Sequence, residues 1–260
     1  MTFPVEYNFF GHAVHAHQVF ELLGYAVGVR AYFYLRRRSK AAVLPVEVTV
    51  WIFVGAVFGA FLGSRLLAII ESFPDYYAHR TDANFWMQGK TIVGGLLGGW
   101  IGVEIAKRRL NVRVRTGDLY VLPLALGIAI GRIGCFLEGL ADRTHGVATS
   151  LPWGVDFGDG MRRHPTQLYE SLYVVLLVAA IAIITRPSTR VRPGDRFRVF
   201  LGSYLLFRFA IEFIKPTFKP YLGLSAIQVV SIVGAAVCLV QWRRSGVRIE
   251  SNGTMPIEGP

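Results

Sequence analysis

Several ionisable side chains lie inside strongly apolar stretches of this chain. They are Glu21, Arg30, Arg65, Glu104, Arg132, Glu170, Arg208 and Glu212. A charge at the centre of a transmembrane helix costs about 2.5–3.5 kcal/mol on insertion scales, so each of these residues needs a partner or a function. Arg132 and Arg208 lie deepest in their apolar stretches. Guanidinium groups bind phosphate oxygens with a planar fork of donors, and the phosphate most available inside a bilayer belongs to a lipid headgroup.

Three other interpretations of these charges stay open. Arg30 and Glu104 lie near the ends of their apolar stretches, where long side chains can reach the membrane interface. Arg208 and Glu212 are four residues apart, so they share a helical face and could simply pair with each other. A pathway for ions or solutes would also place charges inside a membrane domain.

A second group of polar residues leads into another apolar stretch, at residues 162–170. Pro165 can begin a helix, and the N-terminus of a helix favours an anion. His164 precedes it, and Gln167, Tyr169 and Glu170 follow at the boundary between water and lipid. A lone histidine is usually structural, but the neighbouring Gln, Tyr and Glu make a binding or catalytic role for His164 an equal alternative.

Glycines are concentrated in two of the apolar stretches. Gly94, Gly95 and Gly98 lie in the first, and Gly131 and Gly134 flank Arg132 and Ile133 in the second. Small residues allow membrane helices to approach closely, which is one explanation. The other is that they allow a lipid chain or headgroup to approach the backbone.

The elements that carry these residues are predicted to be membrane helices. The chain has a mean hydropathy of +0.42 and 53% hydrophobic residues. These residues are gathered into blocks of roughly 17–25, the length that crosses the hydrocarbon core. We predict an all-α integral membrane protein with about seven transmembrane helices. The spans are approximately Val19–Leu35, Val46–Ile70, Thr91–Ala106, Leu119–Leu137, Gln167–Ile184, Phe197–Ile214 and Leu224–Trp242.

The positive charges predict the orientation of these spans. The net charge is +11, but Lys and Arg occur in short clusters after the first, third, fifth and seventh spans rather than in the continuous patch expected of a nucleic-acid-binding protein. These clusters fall on one side only if the number of spans is odd. We therefore predict that the N-terminus lies outside and the C-terminus lies in the cytoplasm.

The predicted organisation is one polytopic membrane domain, residues 1–244, followed by a polar tail, 245–260, that we expect to be disordered. The longest connection, about 138–164, lies on the outer side, and its aromatic and glycine residues favour a folded cap. Cys135 and Cys238 both lie in apolar segments, so they predict neither a disulfide framework nor a metal-ligand pattern.

Five short motifs resemble those of the prolipoprotein diacylglyceryl transferases, in that family's order. Residues 164–170 read HPTQLYE and are similar to the family's HPxQLYE segment, which is the most specific match. The others are GSRL at 63–66, VGGLLG at 93–98, GRIGCF at 131–136 and RFAIEF at 208–213. Together they extend across most of the chain.

The resemblance implies a fold of seven helices in a bacterial cytoplasmic (inner) membrane. It implies transfer of the diacylglyceryl group of phosphatidylglycerol to the thiol in the signal-peptide region of a prolipoprotein, with release of glycerol-1-phosphate. Arg132 and Arg208 would stabilise the leaving phosphate. No metal or organic cofactor and no nucleic acid is implied. The implied substrate-binding residues are Arg65, Gly94, Gly95, Gly98, Gly131, Gly134, Gln167, Tyr169, Glu170 and Glu212.

The chain departs from the family pattern at the group that would activate the thiol. Val93 stands where the family has a histidine, and Cys135 stands where the signature has an asparagine. Glu138 and Leu140 align with a later Asn and Glu. A thiol must lose its proton to become a strong nucleophile, so some other group must act as the base.

Our hypothesis is that Glu21, His164 or Glu138 replaces the family histidine, with Glu21 aligning with a tyrosine of the first span. Two further functions stay open at this point. A related phospholipid-dependent transferase could use a different acceptor, or the chain could be a non-catalytic phospholipid-binding protein that keeps the fold.

Overall fold

The computed structural model describes residues 3–9, 12–39, 44–87, 89–185 and 191–250, and it is mostly helical. The α-helices are α1 (Ala16–Arg38), α2 (Val46–Glu71), α3 (Phe73–Ala78), α4 (Ala83–Met87), α5 (Ile92–Arg109), α6 (Val121–Glu138), α7 (Thr166–Ile184), α8 (Asp195–Ile211) and α9 (Ala226–Glu250). Short 3-10 helices occur at Gly117–Tyr120, Gly139–Asp142 and Glu212–Ile214.

Apolar helices confirm a helical, multi-pass membrane protein. In the described part of the chain, four helical segments are long and apolar enough to cross a bilayer: Val46–Glu71, Gly117–Asp142, Thr166–Ile184 and Ala226–Arg244. The first, third and sixth predicted spans coincide with α1, α5 and α8, which are shorter or carry more charge. Large side chains such as Trp51 and Phe58 on α2 are 61% and 62% exposed, as expected of helices whose outer faces contact lipid.

Helices α2 and α5 approach each other through facing glycines. A Cβ atom added to Gly94 or Gly98 would lie 2.2 Å from the carbonyl oxygen of Gly63 or Gly59, respectively. The reverse contacts are as close, at 2.3 Å from both Gly59 and Gly63. No real side chain fits at such distances, so the two backbones are in direct contact, as in close-packed membrane helix pairs.

The start of α9 is fixed by side chains from neighbouring elements. Ser225 and Gln228 form a reciprocal cap: the Ser225 Oγ accepts from the Gln228 amide (3.2 Å), and Gln228 Oε1 accepts from the Ser225 amide (2.9 Å). At the end of α2, Glu71 accepts from the Ile227 amide at 2.9 Å. Gln228 also donates to the Phe209 carbonyl on α8 (3.2 Å), so this cap joins α2, α8 and α9.

Two small antiparallel hairpins add strands that the all-α prediction did not include. Strands β1 (Glu6–Phe9) and β2 (His12–His15) pair before α1, and β3 (Val155–Asp156) pairs with β4 (Arg162–Arg163). The second hairpin lies in the connection at 138–164, which is therefore folded. Residues 251–260 of the predicted disordered tail, and the predicted loop residues 40–43 and 186–190, lie outside the described residues.

The glycine contact predicts a large difference between two neighbouring substitutions on α5. Gly98→Ala forces the new Cβ against the Gly59 carbonyl (2.2 Å), and overpacking of this kind costs about 1–3 kcal/mol. Gly95→Ala is the matched control, because its Cβ would lie 3.8 Å from its nearest neighbours. We expect Gly98→Ala to lower the thermal unfolding temperature in detergent while Gly95→Ala leaves it unchanged or raises it. Equal unfolding temperatures would contradict direct backbone contact.

Candidate functional site

The centre of the candidate site is the carboxylate of Glu170, which is 1% exposed. Its Oε2 lies 2.7 Å from Arg208 Nη1 and 3.0 Å from Arg132 Nη2. Its Oε1 accepts a hydrogen bond of 2.6 Å from the Tyr204 hydroxyl. Arg208 also pairs with Glu212, its Nη2 donating to Oε2 at 3.0 Å. All five side chains are buried, so the apolar interior holds a continuous network of charges.

Each residue of this network is positioned by its place on a helix. Glu170 lies in the first turns of α7, and Arg132 lies near the end of α6. Tyr204 and Arg208 are one turn apart on α8, so they share a face, and Glu212 continues that face into the 3-10 turn that follows. Three helices thus bring their charges to a single carboxylate.

Lys215 determines the net charge of this cluster. Without it, the guanidinium groups of Arg132 and Arg208 balance the carboxylates of Glu170 and Glu212. Lys215 is 7% exposed, and burial together with the charge of Arg208 lowers the pKa of its ammonium to about 7. When Lys215 is protonated the cluster carries one excess positive charge, which suits an anionic ligand.

Several buried polar atoms at the cluster have no hydrogen-bond partner among the described residues. They include the Nε atoms of Arg132 and Arg208, Oε1 of Glu212, and both polar atoms of the Gln167 amide. Gln167 is three residues before Glu170 on α7 and so shares its face. Buried polar groups are normally hydrogen-bonded, so donors remain available for a ligand with oxygen acceptors.

His164 and Tyr169 belong to a separate contact at the start of α7. The His164 Nδ1 atom and the Tyr169 hydroxyl are 3.2 Å apart, and the Trp153 indole donates to the same hydroxyl at 2.8 Å. A Cβ on Gly146 would lie 2.6 Å from the Cβ of His164, so the outer connection packs on the histidine.

Glu21, Glu138 and Arg65 have partners of their own, away from Glu170. Glu21 accepts from Lys90 at 2.5 Å and from Tyr25 at 2.9 Å, and it lies 3.6 Å from His17 Nε2. Glu138 lies 3.1 Å from Nδ1 of His15 at the end of the first hairpin. Arg65 donates a hydrogen bond of 2.9 Å to the carbonyl of Gly89, the residue before Lys90.

The glycines predicted as candidates differ in their environments, and an added Cβ on Gly95 would make only ordinary contacts, 3.8 Å from α2. Gly94 and Gly98 contact the backbone of α2, and a Cβ on Gly134 would lie 2.8 Å from Phe20 Cβ on α1, so helix packing accounts for these three. Gly131 has no atom within 4 Å of an added Cβ, and it directly precedes Arg132. At Gly131, therefore, there is room for a lipid chain or headgroup to approach the backbone, which is the second explanation drawn from the sequence.

Several residues of the site were not predicted from the sequence. Tyr204 could have been found, because it precedes Arg208 and Glu212 at four-residue spacing. Lys215 directly follows the sixth predicted span, and nothing in the sequence indicated that it is buried. His17 and Asp142 lie 4.0 Å apart across α1 and the turn after α6, a contact between distant parts of the chain that spacing alone does not reveal.

These features define a class: a helical membrane protein with a buried arginine–glutamate cluster between its helices. The chain matches the family model described as prolipoprotein diacylglyceryl transferase over residues 4–243. The chain therefore belongs to the prolipoprotein diacylglyceryl transferase family.

Curated relatives named phosphatidylglycerol–prolipoprotein diacylglyceryl transferase agree with that assignment. The relative from Coxiella burnetii is 34% identical over 231 residues, covering 86% of this chain and 85% of its own. The one from Nitratidesulfovibrio vulgaris is 38% identical over 191 residues, covering 71% and 69%. The one from Geobacter sulfurreducens is 34% identical over 206 residues, covering 74% and 76%.

The network predicts that Glu170→Gln destabilises the protein strongly. The neutral amide leaves Arg132 and Arg208 with too little negative charge, and breaking a buried ion pair typically costs about 3–5 kcal/mol. Asp159→Asn is the matched control, since it also removes a carboxylate beside an arginine (Arg163, 2.6 Å) but in the outer connection. There the hydrogen bond from Arg163 lowers the pKa of Asp159, whose side chain is 35% exposed.

The measurement is thermal unfolding of the two variants in the same detergent. We expect a large fall in the unfolding temperature for Glu170→Gln and a small one for Asp159→Asn. Similar small shifts would show that Glu170 does not hold the cluster together.

Proposed function

We propose that this chain transfers the diacylglyceryl group of phosphatidylglycerol to the lipobox cysteine thiol of prolipoproteins, releasing glycerol-1-phosphate. The observation that carries the proposal is the pair of buried guanidinium groups, Arg132 and Arg208, held by one carboxylate. The relatives' names supply the reaction, and the cluster offers the charge that its leaving group needs.

The proposed chemistry is a displacement at the glycerol carbon that carries the phosphate. The acceptor thiolate forms a C–S bond as the C–O bond breaks, and the electron pair leaves with the phosphate. The singly charged diester thereby becomes a doubly charged monoester. Arg132 and Arg208 would stabilise that gain of charge, and Glu170 and Tyr204 would act as positioning residues that hold the two guanidinium groups between helices.

The thiol-activating base remains Glu21, His164 or Glu138 in this proposal. Each of the three already contacts a second titratable group: Lys90 for Glu21, Tyr169 for His164 and His15 for Glu138. Loss of transfer in the alanine variant of one of them would assign the base. Unchanged transfer in all three variants would exclude the hypothesis.

We predict that two arginine-to-lysine variants differ in their rate of diacylglyceryl transfer. In Arg132→Lys the positive charge stays but the planar fork of donors is lost, so we expect transfer to fall by about a hundredfold or more. Arg198→Lys is the matched control, because Arg198 pairs with Asp195 at the far end of α8 (2.7 Å). The assay uses phosphatidylglycerol vesicles and a lipobox peptide, with the peptide's mass shift and released glycerol phosphate as readouts.

The products separate the possible functions. A mass shift that Arg132→Lys suppresses supports the proposal. Release of glycerol phosphate without a modified peptide would indicate a different acceptor. Neither product, with phosphatidylglycerol still bound, would indicate a lipid-binding relative without catalysis.

The proposal includes seven membrane spans, with the N-terminus outside the bacterial inner membrane and the C-terminus in the cytoplasm. Basic residues support this orientation, since they fill the last turns of α1 (Arg36, Arg37 and Arg38) and of α5 (Lys107, Arg108 and Arg109). The same orientation puts the connection at 138–164, and the adjacent ends of α6 and α7, on the outer side.

Cysteine labelling tests the span count and the orientation together. In a background lacking Cys135 and Cys238, we expect Glu6→Cys to react with a membrane-impermeant maleimide on intact spheroplasts. We expect Arg244→Cys to react only after lysis. An even number of spans would place both residues on the same side and give them the same pattern, and a reversed pattern would contradict the orientation.

A further inference from the structure

Three potential metal ligands meet beside the arginine cluster, to which Cys135 is linked through Arg132. They are His17 on α1, Cys135 on α6 and Asp142 in the 3-10 turn that follows α6. One ligand atom from each lies within 4.8 Å of the other two, and His17 Nδ1 lies 4.0 Å from Asp142 Oδ1. In a tetrahedral zinc site such atoms are separated by roughly 3.3–3.6 Å, so small rotations would close the site.

The geometry points to a zinc site formed by His17, Cys135 and Asp142, with a fourth position open to the acceptor thiol. The set combines a nitrogen, a sulfur and an oxygen ligand, which zinc accepts in its tetrahedral sites. Three protein ligands leave one position for water or substrate, as in catalytic zinc sites. A thiol that binds zinc is deprotonated outright, and its proton would pass to the candidate base of the proposed function or to water. The thiol's role rests on the proposed function, whereas metal binding does not.

The surroundings of His17 prepare its Nδ1 atom to act as a ligand. That atom is buried and has no hydrogen-bond partner among the described residues. On the other side of the ring, Nε2 lies 3.6 Å from Glu21 Oε2. A carboxylate behind a histidine typically fixes the tautomer with the proton on the far nitrogen, which leaves the near nitrogen free for metal. Glu21 is in turn held by Lys90 and Tyr25.

Packing between α1 and α6 fixes the spacing of the ligands. A Cβ added to Gly134 would lie 3.1 Å from the backbone oxygen of His17 and 3.3 Å from its Cα, so glycine next to Cys135 allows the two helices to approach. Asp142 accepts a hydrogen bond from Thr144 through Oδ2, which orients Oδ1 toward His17.

The charges of the site fit its position. A zinc ion with one thiolate and one carboxylate is neutral, so it would not repel Arg132, whose Nη1 lies 3.8 Å from the Cys135 sulfur. Arg132 also contacts Glu170 through Nη2 at 3.0 Å. One helix would thus carry both Cys135, a ligand of the zinc ion that binds the acceptor thiolate, and Arg132, which would stabilise the leaving phosphate. This arrangement would supply the thiol activation that the family histidine, replaced by Val93, does not.

Metal binding by the purified full-length chain tests the site without reference to activity. The chain is stripped with a chelator and titrated with Co²⁺ or Zn²⁺ alone. We expect one equivalent of metal and, with Co²⁺, a thiolate-to-metal charge-transfer band. Cys135→Ser should abolish that band, and Glu21→Gln should weaken binding by about 10–100-fold. Cys238→Ser is the control and should retain the band, because Cys238 lies on α9, where it faces Gly202 of α8, and is not one of the three grouped ligands.

A second measurement keeps the test independent of how the variants fold. In the wild-type chain, Zn²⁺ should slow alkylation of Cys135 but not of Cys238. Absence of stoichiometric binding, or a band of unchanged strength in Cys135→Ser, would overturn the proposal.

The thiol role is tested by adding a lipobox peptide to the Co²⁺-loaded chain. The peptide thiolate should occupy the open position and change the spectrum, and an unchanged spectrum would overturn that role. Full transfer by the metal-free chain would overturn the zinc proposal but leave the proposed function intact. Stoichiometric metal binding without transfer from any phospholipid would contradict the proposed function and leave the zinc site standing.

Discussion

The carboxylate of Glu170 holds two guanidinium groups from other helices in the interior of a membrane protein. Each arginine alone would be expensive to bury, and so would the carboxylate. Together with the Tyr204 hydroxyl they satisfy one another, and α6, α7 and α8 are joined at that point. The relative positions of these three helices therefore depend on keeping the charges paired, which makes the charged cluster part of the fold.

A second constraint acts between α2 and α5, which are in backbone contact through glycine. The segment leading into α5 is fixed there, because the Thr91 amide donates to the Ser64 hydroxyl at 3.0 Å. Lys90 precedes that contact and reaches Glu21 on α1. The uncharged glycine contact between α2 and α5 thus helps to position the Lys90–Glu21 ion pair, and Glu21 in turn lies 3.6 Å from His17.

The helices and most of the charged cluster could be predicted from the sequence, because unpaired backbone groups and charges are costly in lipid. Arg132, Glu170, Arg208 and Glu212 stood out as charges in apolar stretches, and the structure brings them together. Spacing along one helix predicted Glu212 as a partner of Arg208. It could not show that Glu170, on another helix, is also a partner. Nor could it show that His17 meets Asp142, since that contact depends on how α1 packs on α6. The strands were not predicted because strands of two to four residues leave little hydropathy signal.

Both halves of the proposed chemistry depend on the last turns of α6. Arg132 belongs to the Glu170 cluster, and Cys135 follows three residues later on the same helix. A displacement reaction requires a nucleophile on one side of the reacting carbon and stabilised charge on the other. A rigid helix that carries Arg132 for the leaving phosphate and the proposed zinc ligand Cys135 for the acceptor thiolate would hold the two functions at a constant separation. Gly131 and Gly134 on either side of Arg132 serve different purposes, open space at the first and contact with α1 at the second. The GRIGCF segment therefore combines a charge that is held, a backbone that can be approached, and a thiol that replaces the family's asparagine.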